Sequence, residues 1–293
     1  MSSILFINIV TKEPSMEKDK ERLRVLARIQ ELEENGQFDV DPENDPPSKV
    51  ILPGTVDYKQ KKLSTRIKAK FTFALARKFL HKMIKNKQFI VKDVVGIENL
   101  DNLDSGAVLT CNHFSAMDSF ATQVVYEKSR QSKKRKLFRV IKEGNYTSFP
   151  GFYGKLMRNC NTLPLSSNFQ TLQEFLRGAS YHLKNGNYVL IYPEQSMWWN
   201  YRKPKPLKSG AYTMAVHAHV PVVPIFICME DSDVMGQDGF PIQMYTIFVL
   251  KPIFEDPELS ASENKEMMAK KNYEAWKAIY ETFYNEKLEY LTK

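Results

Sequence analysis

From Asp93 onward, short apolar runs alternate with longer stretches in which apolar residues recur at helical spacing. The runs at 107–110, 137–141, 188–192, 220–227 and 245–250 predict buried strands, because a strand covered on both faces reads as a continuous apolar segment. Between them, 170–184 and 208–219 predict helices. Residues 263–291 predict one long helix that packs back on the domain through Trp276, Tyr280, Phe283, Tyr284 and Leu288. Such alternation predicts an α/β fold: a mixed, mostly parallel sheet flanked by helices. Two local expectations go with it. The prolines of Val220-Pro221-Val222-Val223-Pro224-Ile225 suit a strand's start or end, and Glu230-Asp231-Ser232-Asp233 reads as a turn-forming acidic loop.

Upstream the pattern changes twice. Residues 16–35 are dense in charge, and Leu23, Leu26, Ile29 and Leu32 recur at intervals of three, which predicts a helix with a narrow apolar stripe. Residues 36–54 carry Pro42, Pro46, Pro47 and Pro53 among acidic and polar residues and read as an extended connector. From Tyr58 to Lys92 there are twelve Lys/Arg and no acidic residue. Within that stretch Ile67, Phe71, Phe73, Leu75, Phe79, Leu80, Met83 and Ile84 sit at helical spacings. The chain thus divides into an N-terminal helical extension and connector (1–57), a basic amphipathic helical segment (58–92) and an α/β domain with a C-terminal helix (93–293). A basic helix bearing aromatics suits the surface of a membrane, where each Lys or Arg near an anionic leaflet contributes about 1 kcal/mol. Phe71, Arg77, Lys78, Lys82 and Lys85 are the expected contacts. A core helix whose lysines face water has the same signature.

Composition narrows the partners. The 293 residues carry a formal charge of +8, which favours an anionic partner: nucleic acid, a lipid surface or a phosphorylated substrate. No zinc-finger spacing or RNP-like motif supports nucleic acid. Three cysteines, Cys111, Cys160 and Cys228, form no CxxC pair, which fits a reducing compartment and neither a disulfide framework nor a zinc site. No apolar run approaches the ~20 residues of a spanning helix, and the opening run from Ile4 to Val10 lacks the features of a signal peptide. The expected location is cytoplasmic and peripheral to a membrane.

Two clusters have the residue types for chemistry. Asn112-His113-Phe114-Ser115-Ala116-Met117-Asp118 follows a predicted strand, and the carboxyl ends of strands are where open α/β sheets place their sites. A carboxylate beside a histidine fixes the imidazole tautomer and stabilises the imidazolium, as general-base work requires. Positions five apart do not share a helix face, which puts His113 in the turn and Asp118 in the helix after it. The second cluster, Tyr192-Pro193-Glu194-Gln195-Ser196, also ends a strand. It is followed by Arg202, Lys203, Lys205 and Lys208, then by Ser209-Gly210-Ala211 opening a helix, a combination that suits phosphate or carboxylate. Trp198, Trp199 and Tyr201 in this charged loop predict a lined pocket or a membrane-facing rim. A structural turn and a solvated basic loop remain the alternatives.

The order of these blocks, NHxxxxD, then Pro-Glu at a strand end, then Lys-x-Gly-Ala, then Val-Pro-Val-Val-Pro-Ile, resembles the glycerol-phosphate and lysophosphatidic-acid acyltransferase family over about 94–251. The resemblance implies transfer of a fatty acyl group from acyl-CoA or acyl-carrier protein to a glycerolipid hydroxyl. His113 is then the base and Asp118 its orienting partner, with no metal or cofactor. It also places Asn112 beside the base and Glu194 in the family's Pro-Glu-Gly block. The chain departs from the family at Gln195-Ser196-Met197, where relatives read Gly-Thr-Arg, and at Leu165-Ser166, where relatives carry an arginine. Lys142, Arg158, Arg202 or Lys205 are the substitutes for the missing cations, with Ser196, Lys208 and Gly210 completing the expected substrate contacts. The alternative is an acceptor without a phosphate monoester. A catalytically silent lipid-binding protein on the same scaffold is the competing class of function. Cys160 reads as a buried inert thiol, His182, His217 and His219 lack the spacing of a metal site, and no P-loop or GxGxxG is present.

Overall fold

The computed structural model describes residues 18–43 and 48–292; the apolar run at 4–10, and Pro46 and Pro47, lie outside them. The opening helix α1 (Lys20–Glu34) is capped by Asp19, whose side chain accepts from Arg22 N. After a connector with no helix or strand among its described residues comes α2 (Leu63–Lys85). Then follow β1 (Ile90–Val95), α3 (Glu98–Asp101), β2 (Ala107–Cys111), α4 (Asp118–Lys128), β3 (Leu137–Ile141), α5 (Glu143–Thr147), α6 (Gly151–Asn159) and β4 (Thr162–Pro164). The remainder is α7 (Phe169–Lys184), β5 (Tyr188–Ile191), α8 (Gly210–Ala218), β6 (Val222–Met235), β7 (Pro241–Val249) and α9 (Ala261–Tyr284).

One seven-stranded sheet has the order β1-β7-β6-β2-β5-β3-β4. All its neighbouring pairs are parallel except β6 with β7, so β7 and β1 run against the other five. The sheet is therefore mixed and mostly parallel, as the alternation predicted. Side chains of β2 alternate between its faces. Leu109 and Cys111 join a core with Ala121 and Val125 of α4 and Leu80 and Met83 of α2. Val108 joins Phe175 and Ala179 of α7 and Tyr212 and Ala215 of α8 on the other side. Helices on both faces leave every residue of β2 buried, which places its carboxyl end in the middle of the molecule.

Several boundaries differ from those expected. The proposed division at 92/93 falls inside β1, and the short β4 was not foreseen. Glu230-Asp231-Ser232-Asp233 is no turn: it lies within β6, Glu230 pairing with Met244 and Asp231 with Gln243 of β7 before the register shifts between Asp231 and Met235. Pro224 lies inside β6 opposite Thr110, its carbonyl accepting from Leu250 N at 2.8 Å. The C-terminal helix begins at the capping box of Ser260 and Glu263 and ends at left-handed Asn285 (φ 51°), short of residue 291. The tail beyond it returns to α1, where Leu291 N and Thr292 Oγ1 donate to Glu33.

Candidate active site

His113 lies two residues beyond β2, and Asp118 is the first residue of α4, the arrangement the five-residue spacing predicted. The 2.6 Å contact between His113 Nδ1 and Asp118 Oδ2 joins them. A carboxylate only accepts, so Nδ1 carries the hydrogen and the Nε2 lone pair is left to take a proton. Asp118 is 2% exposed and the His113 side chain 20%, so the acid is enclosed while the imidazole is reachable. Nε2 has no hydrogen-bond partner among the described residues.

A third side chain completes the arrangement. Tyr192, after β5, stacks on the His113 ring at 4.2 Å between centroids and 22° between planes, and its hydroxyl donates to Asp118 Oδ1 at 2.8 Å. Adjacent parallel strands bring it there: Thr110 of β2 pairs with Ile191 of β5. Both oxygens of Asp118 are thus engaged, one by the phenol and one by the imidazole. The sequence places Tyr192 in the second cluster but assigns it no role; its position directly before Pro193-Glu194 at the strand end was the available signal.

The backbone around His113 is clamped. Glu194, 2% exposed, accepts from His113 N with Oε2 at 2.9 Å and from Lys205 N with Oε1 at 2.8 Å. The loop beyond it is tied to the same strand end, with Trp198 N donating to His113 O and Asn200 N to Phe114 O. Asn112, also 2% exposed, bridges to β6, its Oδ1 accepting from Ile227 N at 2.9 Å and its Nδ2 donating to Ile227 O at 3.0 Å. Asn112 and Glu194, expected at substrate, instead fix where the His113 main chain sits. At Gln195 the chain turns with φ +65°, a conformation that glycine adopts more readily than a residue with a Cβ.

The cations expected to grip substrate are engaged by the protein itself. Lys205 is 1% exposed, its Nζ donating to Ser196 O at 2.6 Å and Ser196 Oγ at 2.7 Å, with Glu194 at 3.9 Å and the Trp198 ring 4.8 Å away. Burial lowers its pKa to about 8 and raises that of Glu194, each opposed by the attraction of the other. A cation held this way is internal and does not meet solvent. Ser196 is likewise buried, its Oγ donating to Phe38 O at 2.6 Å. Lys208 pairs with Asp39 at 2.9 Å and Lys142 with Asp41; Arg202 pairs with Asp231 at 3.0 Å. Arg158 Nη1 donates to the carbonyls of Tyr146 and Phe149. Gly210 opens α8, and a Cβ there would meet nothing within 4 Å.

Within the aromatic loop Trp198 is fully buried, while Trp199 also lines a surface cavity with Leu26, Arg202 and Phe240. Trp198 and Trp199 pack with Ile29 and Leu32 of α1, backed by Val25, Leu26, Phe38 and Tyr201. The apolar stripe of α1 exists to cover them. On α2 the apolar residues divide. Leu80 and Met83 are buried and Phe79 packs near Phe120, Phe152 and Tyr153, while Leu63, Ile67, Phe71 and Leu75 are exposed, Phe71 by 74%. These four recur every fourth residue and so share one stripe. Lys78, Lys82 and Lys85 continue it, whereas Arg77 turns to an ion pair with Glu127 at 2.9 Å. Among the described residues no helix is long and apolar enough to cross a membrane.

The family model described as Acyltransferase matches residues 92–228, the segment that holds His113, Asp118, Tyr192 and Glu194. No curated protein matches the chain. Among solved structures the chain is similar to the 1-acyl-sn-glycerophosphate (LPA) acyltransferase PlsC from Thermotoga maritima. The two are 22% identical, with 71% of this chain and 80% of that one covered and a TM-score of 0.47.

Proposed function

We propose that the protein, whose residues 92–228 match the family model described as Acyltransferase, moves a fatty acyl group from a thioester, acyl-CoA or acyl-carrier protein, to a hydroxyl of a lysophospholipid or related glycerolipid. The observation that carries this reading is the buried Asp118 shared by Tyr192 and His113 at a strand's carboxyl end, with the imidazole still reachable. His113 Nε2 takes the acceptor's hydroxyl proton as the oxygen attacks the thioester carbonyl. Asp118 stabilises the imidazolium, and the tetrahedral intermediate collapses as the C–S bond breaks. The proton passes from His113 to the departing thiolate, leaving an ester, a free thiol and the enzyme unchanged. No acyl-enzyme, metal or cofactor enters the sequence.

The acceptor is an amphiphile, and the exposed stripe of α2 supports delivery from a lipid surface on the cytoplasmic side. Its apolar half suits the acyl boundary and its lysine half the headgroups. Replacing Lys78, Lys82 and Lys85 by Glu is expected to release the protein from anionic vesicles in sedimentation; unchanged sedimentation refutes this docking. The reaction is tested by thioester consumption with a panel of lysolipids. Wild type is expected to turn over at least one acceptor and His113→Ala none above background. Equal turnover by both for every acceptor would leave a silent lipid-binding protein as the better reading.

A further inference from the structure

The residues 38–41 lie as a strap across the loop that follows Glu194. Trp198 Nε1 donates to Val40 O at 2.9 Å, and Ser196 Oγ to Phe38 O. Phe38 stacks on Trp198 at 5.6 Å and meets the Tyr290 ring edge-on at 4.8 Å. The strap is therefore seated on α1, the aromatic loop and the C-terminal tail together.

Its two carboxylates land on particular partners. Asp41 takes the Met197 backbone N–H at 2.9 Å with Oδ1 and the Lys142 ammonium with Oδ2. Asp39 takes Lys208 at 2.9 Å, and its pKa is lowered by that bond. An ammonium and a backbone amide converging on one group make an anion cradle, the arrangement in which proteins hold phosphate oxygens. It is joined to the His113 turn through the backbone: Met197 is followed by Trp198, whose N–H is bonded to the His113 carbonyl. The cradle holds a carboxylate belonging to the chain itself.

We propose that the strap is a specificity element: Asp41, assisted by Asp39, occupies the place of an acceptor's phosphate and directs the enzyme to acceptors without a phosphate monoester. The physical reason is twofold. A phosphate monoester brings close to two negative charges beside two fixed carboxylates, and like-charge juxtaposition is costly. The cations that would offset it are already paired, and Lys205 is sealed. An uncharged polar headgroup meets neither obstacle.

The inference rests on the proposed acyl transfer for its meaning, so its test includes an arm independent of catalysis. Binding of sn-glycerol 3-phosphate to the full chain is followed by amide chemical shifts. Wild type is expected to show no saturable shift, Asp39→Asn/Asp41→Asn to acquire one at Met197, and addition of Lys142→Met to abolish it. In the second arm the ratio of kcat/KM for lysophosphatidic acid to that for an uncharged monoacylglycerol is expected to rise about tenfold in the double variant, while Asp41→Glu keeps the wild-type ratio. Equal phosphate binding by wild type and the double variant overturns the proposal, as does a wild-type preference for lysophosphatidic acid. Acquired phosphate binding with no acylation of any acceptor leaves the strap's role standing and removes the enzymatic reading instead.

Discussion

Tyr192→Phe separates the role of one hydroxyl from that of the ring carrying it. Phenylalanine keeps the stack on His113, 4.2 Å between centroids, and deletes the 2.8 Å bond to Asp118 Oδ1. The acceptor is an enclosed carboxylate, and hydrogen bonds to charged groups contribute about 1.5–3 kcal/mol. If about 1.4 kcal/mol of this bears on holding the imidazole as it takes a proton, kcat/KM falls about tenfold. The full value would give closer to a hundredfold. The assay is release of free thiol from acyl-CoA with the best lysolipid acceptor, accompanied by thermal unfolding to monitor the fold. A double-mutant cycle with Asp118→Asn makes the test specific. If the hydroxyl acts through Asp118, its removal costs much less once that carboxylate is gone. A Tyr192→Phe rate within twofold of wild type refutes the reasoning, as does an undiminished loss in the Asp118→Asn background.

Three further outcomes follow from the same geometry. Lys205→Met leaves the Glu194 carboxylate buried without its counter-charge and is expected to cost about 3–5 kcal/mol of stability in urea unfolding; a loss below about 1 kcal/mol contradicts the clamp. Gln195→Gly relieves a left-handed φ of 65° worth about 1 kcal/mol against a similar gain in unfolded-chain entropy. The melting temperature should therefore hold or rise, and a fall of several degrees counts against strain there. Burial lowers the pKa of His182 from 6.5 to about 4, so the unfolded chain binds the proton first. Stability is full above pH 6.5 and declines as pH falls towards 4, by about 3 kcal/mol. His182→Gln should flatten the urea midpoint over that window, and an unaltered slope excludes His182 as its source.

The central strands were legible because burial on both faces leaves no charged position to interrupt β2, β5 or the first half of β6. His113 and Asp118 were legible because both lie within one turn and the start of one helix. What the sequence hid depends on contacts between distant segments. Residues 230–233 look like a loop until β7 pairs with Glu230 and Asp231. Lys205 looks like a surface cation until Ser196, Glu194 and Trp198 close around it. Tyr192 acquires its role only when β5 pairs beside β2, and the aromatic loop acquires its partner only when α1, more than 150 residues earlier, lies on it. A lysine's charge is readable from the chain, but its accessibility is set by which carboxylate arrives.

Glu33 joins the two extremities of the described fold. It is 4% exposed, it receives Lys203 at 2.7 Å, and it meets the backbone N–H of Leu291 and the hydroxyl of Thr292. That junction closes a loop of more than 250 residues, and contacts so distant in sequence form late because the intervening chain must be ordered first. The residues near 290 thus hold the last turn of α1, the helix directly before the segment that carries Asp39 and Asp41.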